Sequence, residues 1–424
     1  MASSRDEIIR CKGLKTAANE FTLEDGAQRQ FTNMLLVHEN RAQSRRGIDR
    51  IASVGGFISK LFEFDGKLLV HHSNTSLRRM ETDGSSGAAI GTVNTPSDAP
   101  GGRVRSAQAN ENLYLTSQND VQVLDDATGT LRKAGGMFAP GFDRHGPAAI
   151  LTGTGGFLAD QFQCAYRYTV CRYDANNNLI ECPPSGRYIV SNAAFVSGWA
   201  TTVAKNVANR ILIPTDADTN YFFRIYRSMQ VPVGDQPDDN LKLVFERYLT
   251  QGDITTGYVE LTDIVPDVLR GGFLYCGENQ EGMFQANHRP PQCTEIYAWK
   301  QRLWAGNANE PSQFFLRIMS VGGSAGIQNG DQLSIDGDLF TATTGAPGAS
   351  NEYHLETAGT TSQNNEATAM NLVSAINKTA ANTGVYASYV SPPDQAPGLI
   401  LIESRYASTG TFNVYAVNGS QRAC

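Results

Sequence analysis

The chain reads as mainly β, an incomplete or interrupted β-propeller carrying two insertions, and three observations lead there. A short hairpin pattern recurs about 45 positions apart and returns once more after a long gap; turn residues are dense, with 41 glycines in 424 residues; and short alternating runs outnumber helical ones. A period near 45 is the size of one four-stranded blade, and such a unit cannot bury its faces without neighbours.

The first copy is Leu61–Val70, closed by an Asp65-Gly66 turn. The second is Val104–Leu115, in which Asn110 to Asn112 supply the turn and Leu113 stands where Leu68 stood. The third, Ile296–Trp304, puts Leu303 in that place. Ahead of them, residues 1–55 form a Gly- and Asn-punctuated lead-in segment, with a strand expected at Met34–His38 and a turn at Arg46-Gly47. The first part of the propeller is assigned to 56–150, ending in a Gly/Pro cluster.

Over 151–278 the runs Gln163–Tyr173, Leu179-Ile180, Arg187–Val190, Arg210–Ile213, Tyr221–Tyr226, Leu241–Phe245 and Gly257–Leu261 predict about seven short strands. That number describes an immunoglobulin-like sandwich, and the missing Cys-Trp-Cys signature favours the fibronectin-like variant. The propeller resumes over 279–320, and 321–424 reads as a small α+β insertion. It opens with a hairpin about Asp336-Gly337, the strongest local turn signal in the chain. A helix follows over Asn365–Asn377, with Ala369, Leu372, Val373 and Ile376 on one stripe and Asn364 or Asn365 as its cap. Strands are expected at 386–390, 399–402 and 412–417.

Composition excludes several classes of function. The net charge of −7 leaves no basic stripe, only Arg-rich spots at 41–50 and 103–105, so tight nucleic-acid binding is not expected. No run reaches the ~18 apolar residues of a membrane span, and the acidic N-terminus lacks the apolar core of a secretory signal. The protein is therefore expected to be made in the cytoplasm. Seven cysteines without a Cys-x-x-Cys pair read as reduced, buried thiols, and the six histidines lack metal-ligand spacing.

Each chemical motif has a plainer reading. Asp174-x-Asn176-x-Asn178 and Asp216-x-Asp218-x-Asn220 begin like calcium loops but lack the glycine and the closing glutamate, so hairpin turns are expected. Leu151–Gly156 is glycine-rich without the Lys-Ser/Thr ending that cradles phosphate, and reads as a linker. His71 and His72 point to opposite sides of one strand and cannot share a site. Asn74, Asn377 and Asn418 are sequon-like but carry no weight without a secretion signal. The turn at Asp235–Asn240 is expected to be a solvated loop. Tyr297, Trp299 and Trp304 could form a carbohydrate platform, but alternation puts Trp304 on the face opposite the other two, so packing between blades is preferred. No catalytic, cofactor-binding or metal residue is assigned, and the chain is not expected to be an enzyme.

The order of these parts resembles the tail nozzle family of short-tailed bacteriophages, also called tail tubular protein B. The resemblance is carried by Ala17–Gly26 followed by Asn33 and Arg45-Arg46-Gly47, by Tyr226-Arg227-Ser228, and by Trp299-x-x-Arg302-Leu303. The Ala367-x-Ala369-x-x-Leu372-x-x-Ala375-Ile376-Asn377 helix is similar to those of phage structural proteins. The resemblance implies a virion structural protein in the phage tail: a homo-oligomeric ring, expected to be a hexamer, beneath the adaptor and portal. Its partners would be those proteins, the tail fibres and, transiently, the genome moving through the channel, with no stable membrane insertion. A negatively charged wall suits DNA that must pass without sticking. Three blade-like units are too few to close a propeller, so further C-terminal sequence or an unusually small variant is expected. The alternatives are a receptor- or glycan-binding tail adhesin and, third, a polysaccharide depolymerase, which needs a carboxylate pair that no motif here supplies.

Overall fold

The computed structural model describes residues 56–81, 86–97, 102–143, 151–193, 203–276, 288–300, 302–378, 384–391, 397–405 and 411–417, together with four short strands before residue 56. Those strands belong to a unit formed by residues 1–53 and 82–85. Within it Met34–His38 pairs antiparallel with Arg41–Ser44, as expected for the first of the two, while the Arg46-Gly47 turn lies outside the described residues. Everything below concerns the larger unit. It is mainly β, built from many antiparallel sheets and two α-helices among the described residues.

Two four-stranded meanders come first. Ile58–Phe64, Lys67–His72, Ser76–Met80 and Ser86–Thr92 form one; Ser106–Ala109, Asn112–Thr116, Val121–Leu124 and Arg132–Lys133 form the other. A two-stranded hairpin, Gln292–Trp299 with Arg302–Asn309, is the third member. All three are closed by two-residue turns whose first residue is left-handed: Asp65 at φ 49°, Asn110 at 50° and Lys300 at 49°. Such turns match the right-handed twist of the flanking strands, which is why Asp and Asn recur there.

Each sheet has two faces, and the register separates them. In the first sheet Phe62 lies opposite Leu69, and with Phe64 they form what we term the forward face; Leu61 and Leu68 lie on the back face. In the second, Ala107 lies opposite Tyr114 and Tyr114 opposite Val123 on the forward face, while Leu113 opposite Leu124 marks the back. Phe62, Phe64, Leu69 and Leu77 bury themselves against Leu113, Leu115 and Leu124, so the first sheet's forward face meets the second sheet's back. Ala107, Val121 and Val123 share a second core with Ile296, onto which Tyr114, Ala298 and Leu303 pack. The third hairpin, some 160 residues downstream of the second sheet, thus lies on that sheet's free side. Gly135 permits the return: at φ 75°, a Cβ there would sit 2.4 Å from the His288 carbonyl oxygen.

The intervening chain builds a six-stranded antiparallel sheet around the long strand Phe162–Tyr173 and a three-stranded sheet of Leu151–Thr152, Asn206–Leu212 and Tyr258–Asp263. Tyr166, Tyr168, Val170, Phe223 and Ile225 from the first meet Val207, Ile211, Val259 and Leu261 from the second in one core. Buried charge is also present. Arg227, fully enclosed, lies 2.5 Å from Asp263 and 3.1 Å from Asp267 and covers the Phe157 ring at 3.6 Å, while the Tyr166 hydroxyl donates to Asp263. A six-residue helix, Gln251–Thr256, which nothing in the sequence pattern suggested, is capped by a Thr250–Asp253 box.

The α+β part begins at residue 313 rather than the expected 321, because Gln313–Arg317, assigned from the sequence to the resumed propeller, joins its sheet instead. Gln313–Arg317 pairs with Leu399–Ser404, which pairs with Val385–Tyr389, and a second sheet contains the expected Asp336-Gly337 hairpin. Helix Thr361–Lys378 corrects two expectations. Its cap is Thr360, not Asn364 or Asn365: the Gln363 amide donates to the Thr360 hydroxyl and the Thr360 amide to the Gln363 side chain. It is also buried on all sides from Asn364 to Asn377 instead of along one stripe. Its polar side chains are used inside: Asn377 exchanges two hydrogen bonds with the backbone of Ala387, and Asn371 donates to the His354 carbonyl. The core of this part is continuous with that of the preceding sheets, Met370, Val373 and Ile376 sharing one cluster with Tyr166 and Tyr188.

Candidate interaction face

The aromatic residues of the third hairpin lie where alternation counted along the sequence did not put them. Two residues separate the strands, so Tyr297 faces Trp304 directly across the ladder and Trp299 faces Arg302. Directly opposed residues share a face. Tyr297, Trp299 and Trp304 therefore stand together, and the expected placement of Trp304 on the other face is corrected. Packing between blades is corrected too: the three are 69%, 53% and 51% exposed. The Trp rings are 6.0 Å apart at 56°, and the Lys300 ammonium covers Trp299 at 4.4 Å. Leu303 and Ala298, on the other side, pack on the second sheet.

Charge near this hairpin is uneven. Arg105 reaches from the second sheet to Glu295 at 3.1 Å, and Lys60 lies close to Arg105 and Arg103. Burial, reinforced by the Arg105 charge, lowers the Lys60 ammonium below its ordinary value. Arg302 is exposed, and neither it nor Lys300 has a carboxylate partner among the described residues.

The remaining sequence-level candidates resolve into structural roles. Asp216 and Asp218 bind cations of the second sheet, Lys133 at 2.7 Å and Arg132 at 2.8 Å. Against the upward pull of burial, Lys133 holds the Asp216 carboxyl below the usual range. Asp174 closes its own turn by accepting from the Asn176 and Asn178 amides at 2.9 and 2.7 Å. Leu151–Thr152 pairs as a strand edge with Val207 and Asn206, and no helix follows it. Asp239 is no solvated loop residue: it takes Arg187 at 3.0 Å and Arg167 at 3.3 Å.

His71 is buried, its Nε2 2.8 Å from the Val93 carbonyl oxygen, and burial lowers its pKa. His72 faces the other side of the strand, 3.4 Å from Ser73. The two do not combine into a site. Cys164 and Cys182 are buried free thiols pushed up to about 12 by burial, which removes them as nucleophiles; Cys11 and Cys424 lie outside the described residues. Of the sequon-like asparagines, Asn377 is buried in the helix, Asn74 sits in a turn, and Asn418 lies outside the described residues. Among the described residues no three His, Cys, Asp or Glu side chains converge as a metal site, and no helix is long and apolar enough to cross a membrane.

Besides a small cleft lined by Phe142, Arg187, Tyr188 and Met370, the described residues present an open aromatic row at the end of a series of stacked sheets. Neither a protein-family model nor a curated protein matches the chain.

Proposed function

We propose that the chain is a wall-forming structural subunit of a short phage tail, similar to the nozzle family, which assembles as a ring around the channel for genome ejection. In this reading the three stacked sheets are part of an interrupted propeller, the sheets of residues 151–276 are a fibronectin-like insertion, and 313–417 is the α+β insertion. The ring is a homo-hexamer that meets the adaptor and portal on one side, carries tail fibres, and touches the genome only in passage. It performs no reaction.

One observation carries the reading: a hairpin returning after some 160 residues packs on the sheet that preceded the interruption. A body split this way holds large insertions at fixed places on a rigid wall. The net charge of −7 agrees with a surface past which phosphate slides. Imaging of phage particles with an antibody against this chain tests the proposal. Label arranged around the tail axis is expected; label absent from particles, with the purified protein monomeric at all concentrations, would reject it.

A further inference from the structure

By their cores, two bodies make up the larger unit: the stacked sheets, and residues 137–276 with 313–417, which share one main core. The chain crosses between them at 134–136, 288–291 and 310–312, and these crossings lie side by side. A Cβ on Gly135, itself at φ 75°, would sit 2.4 Å from the His288 carbonyl oxygen, and the Arg289 Nε donates to the Gly136 carbonyl at 3.3 Å. Asn309, from which the third crossing departs, pairs with Gln292, at which the second ends. The crossings thus form one narrow neck.

Away from the neck, charge joins the two bodies. The cores of the stack, around Phe62 and Leu113 and around Val121 and Ile296, are separate from that of Tyr166 and Ile211, so no apolar cluster of the described residues spans the junction. Instead Arg132 meets Asp218 at 2.8 Å, Lys133 meets Asp216 at 2.7 Å, and Asp125 meets Arg172 at 3.1 Å. Arg132 also covers the Tyr221 ring at 5.4 Å, and Asp125 accepts from the Ala175 amide at 3.2 Å. Domains that meet through a polar interface, without a large apolar one, move relative to each other by default. The Lys133–Asp216 pair can part without orphaning a charge: Lys133 has Asp120 of its own sheet at 4.0 Å, and Asp216 has Arg405 of its own body nearby. The Asp216 and Asp218 side chains are already 41% and 42% open to solvent.

We infer that the neck and the ion pairs form a hinge: the body carrying both insertions turns against the stacked sheets about 134–136, 288–291 and 310–312, and Asp125–Arg172, Arg132–Asp218 and Lys133–Asp216 hold it closed. The place of attachment is fixed, and the angle is set by charge. Gly135 and Gly136 put backbone freedom where the axis runs, in a short segment between elements as hinges require. Arg172, its side chain only 4% exposed, makes its pair the firmest of the three, because a buried charge is costly to leave alone. The hinge goes beyond the ring reading and stands without it, since every contact named lies within one chain.

Distances within one subunit test this, read by pulsed electron spin resonance on the full-length protein diluted with unlabelled chains. Labels carried by p-acetylphenylalanine at the exposed positions of Glu111 and Gln251 span the junction, and labels at those of Gln251 and Asp336 lie within the insertion body. Asp125→Asn, Asp216→Asn and Asp218→Asn together are expected to shift the 111–251 distance by several ångströms and to broaden its distribution, with the 251–336 distance unchanged. A 111–251 distance that the triple variant leaves as it is would overturn the hinge. So would a 251–336 distance that moves with it, because the body itself would then have loosened.

Discussion

The stacked sheets and the body of residues 151–276 solve the burial problem in opposite ways. At the stack junctions, rows such as Phe62, Phe64 and Leu69 against Leu113 and Leu115 keep charge at the rim. In the other body the interior itself holds charge, with Arg227 enclosed between Asp263, Asp267 and the ring of Phe157. A face of the first kind can be left open without orphaning an ion, as at Tyr297, Trp299 and Trp304. A core of the second kind must be complete before any part of it is stable.

Substitutions should separate the two kinds of region. Arg227→Ala leaves Asp263 buried without its cation and is expected to cost about 3–5 kcal/mol in denaturant unfolding, the largest single effect in the chain. Leu69→Ala opens a cavity at the first junction and should cost about 2–5 kcal/mol. Gly135→Ala combines a left-handed backbone with a close approach to His288, and a loss of about 1–2 kcal/mol or more is expected from the backbone alone.

The pH response should be smaller, and its sign is fixed. Burial sets the folded-state pKa of His71 below the ordinary imidazole value of about 6.5, so as pH falls the unfolded chain takes up the proton first. The stability that neutral His71 contributes is present above that value and is lost as pH falls through the folded-state pKa. His71→Asn should therefore flatten thermal stability below pH 6.5, and an unchanged slope would show that other groups set it. Trp304→Ala, on the open face, should change the unfolding free energy of the unassembled chain by no more than about 0.5 kcal/mol, although the position equivalent to it in the first sheet is the costly Leu69.

Much of this architecture was legible in the residues. Asp65-Gly66, Asn110-Glu111 and Asp336-Gly337 demand left-handed backbone, and each closes the hairpin its sequence announced. Most strands of the 151–276 body alternate cleanly enough to be placed within a few residues. The errors arose where information is not local. Which face Trp304 occupies depends on how many residues the turn contains and so on the pairing across it, because a position counted along one strand does not carry to its neighbour. Helix Thr361–Lys378 looked one-sided because Asn371, Ser374 and Asn377 are polar, yet they bond strand backbone and the Asp143 carboxylate inside the protein. No periodicity reports a partner of that kind. A lone arginine in a strand, such as Arg227, gives no sign that two carboxylates 36 and 40 residues later will enclose it.

The central claim is that sheets before and after the interruption are consecutive members of one series. An electron cryomicroscopy reconstruction of the assembled protein tests it most directly. The account predicts density in which the 292–309 hairpin lies on the Ala107, Val121 and Val123 side of the second sheet. A hairpin in a separate body, out of contact with residues 106–133, would contradict it.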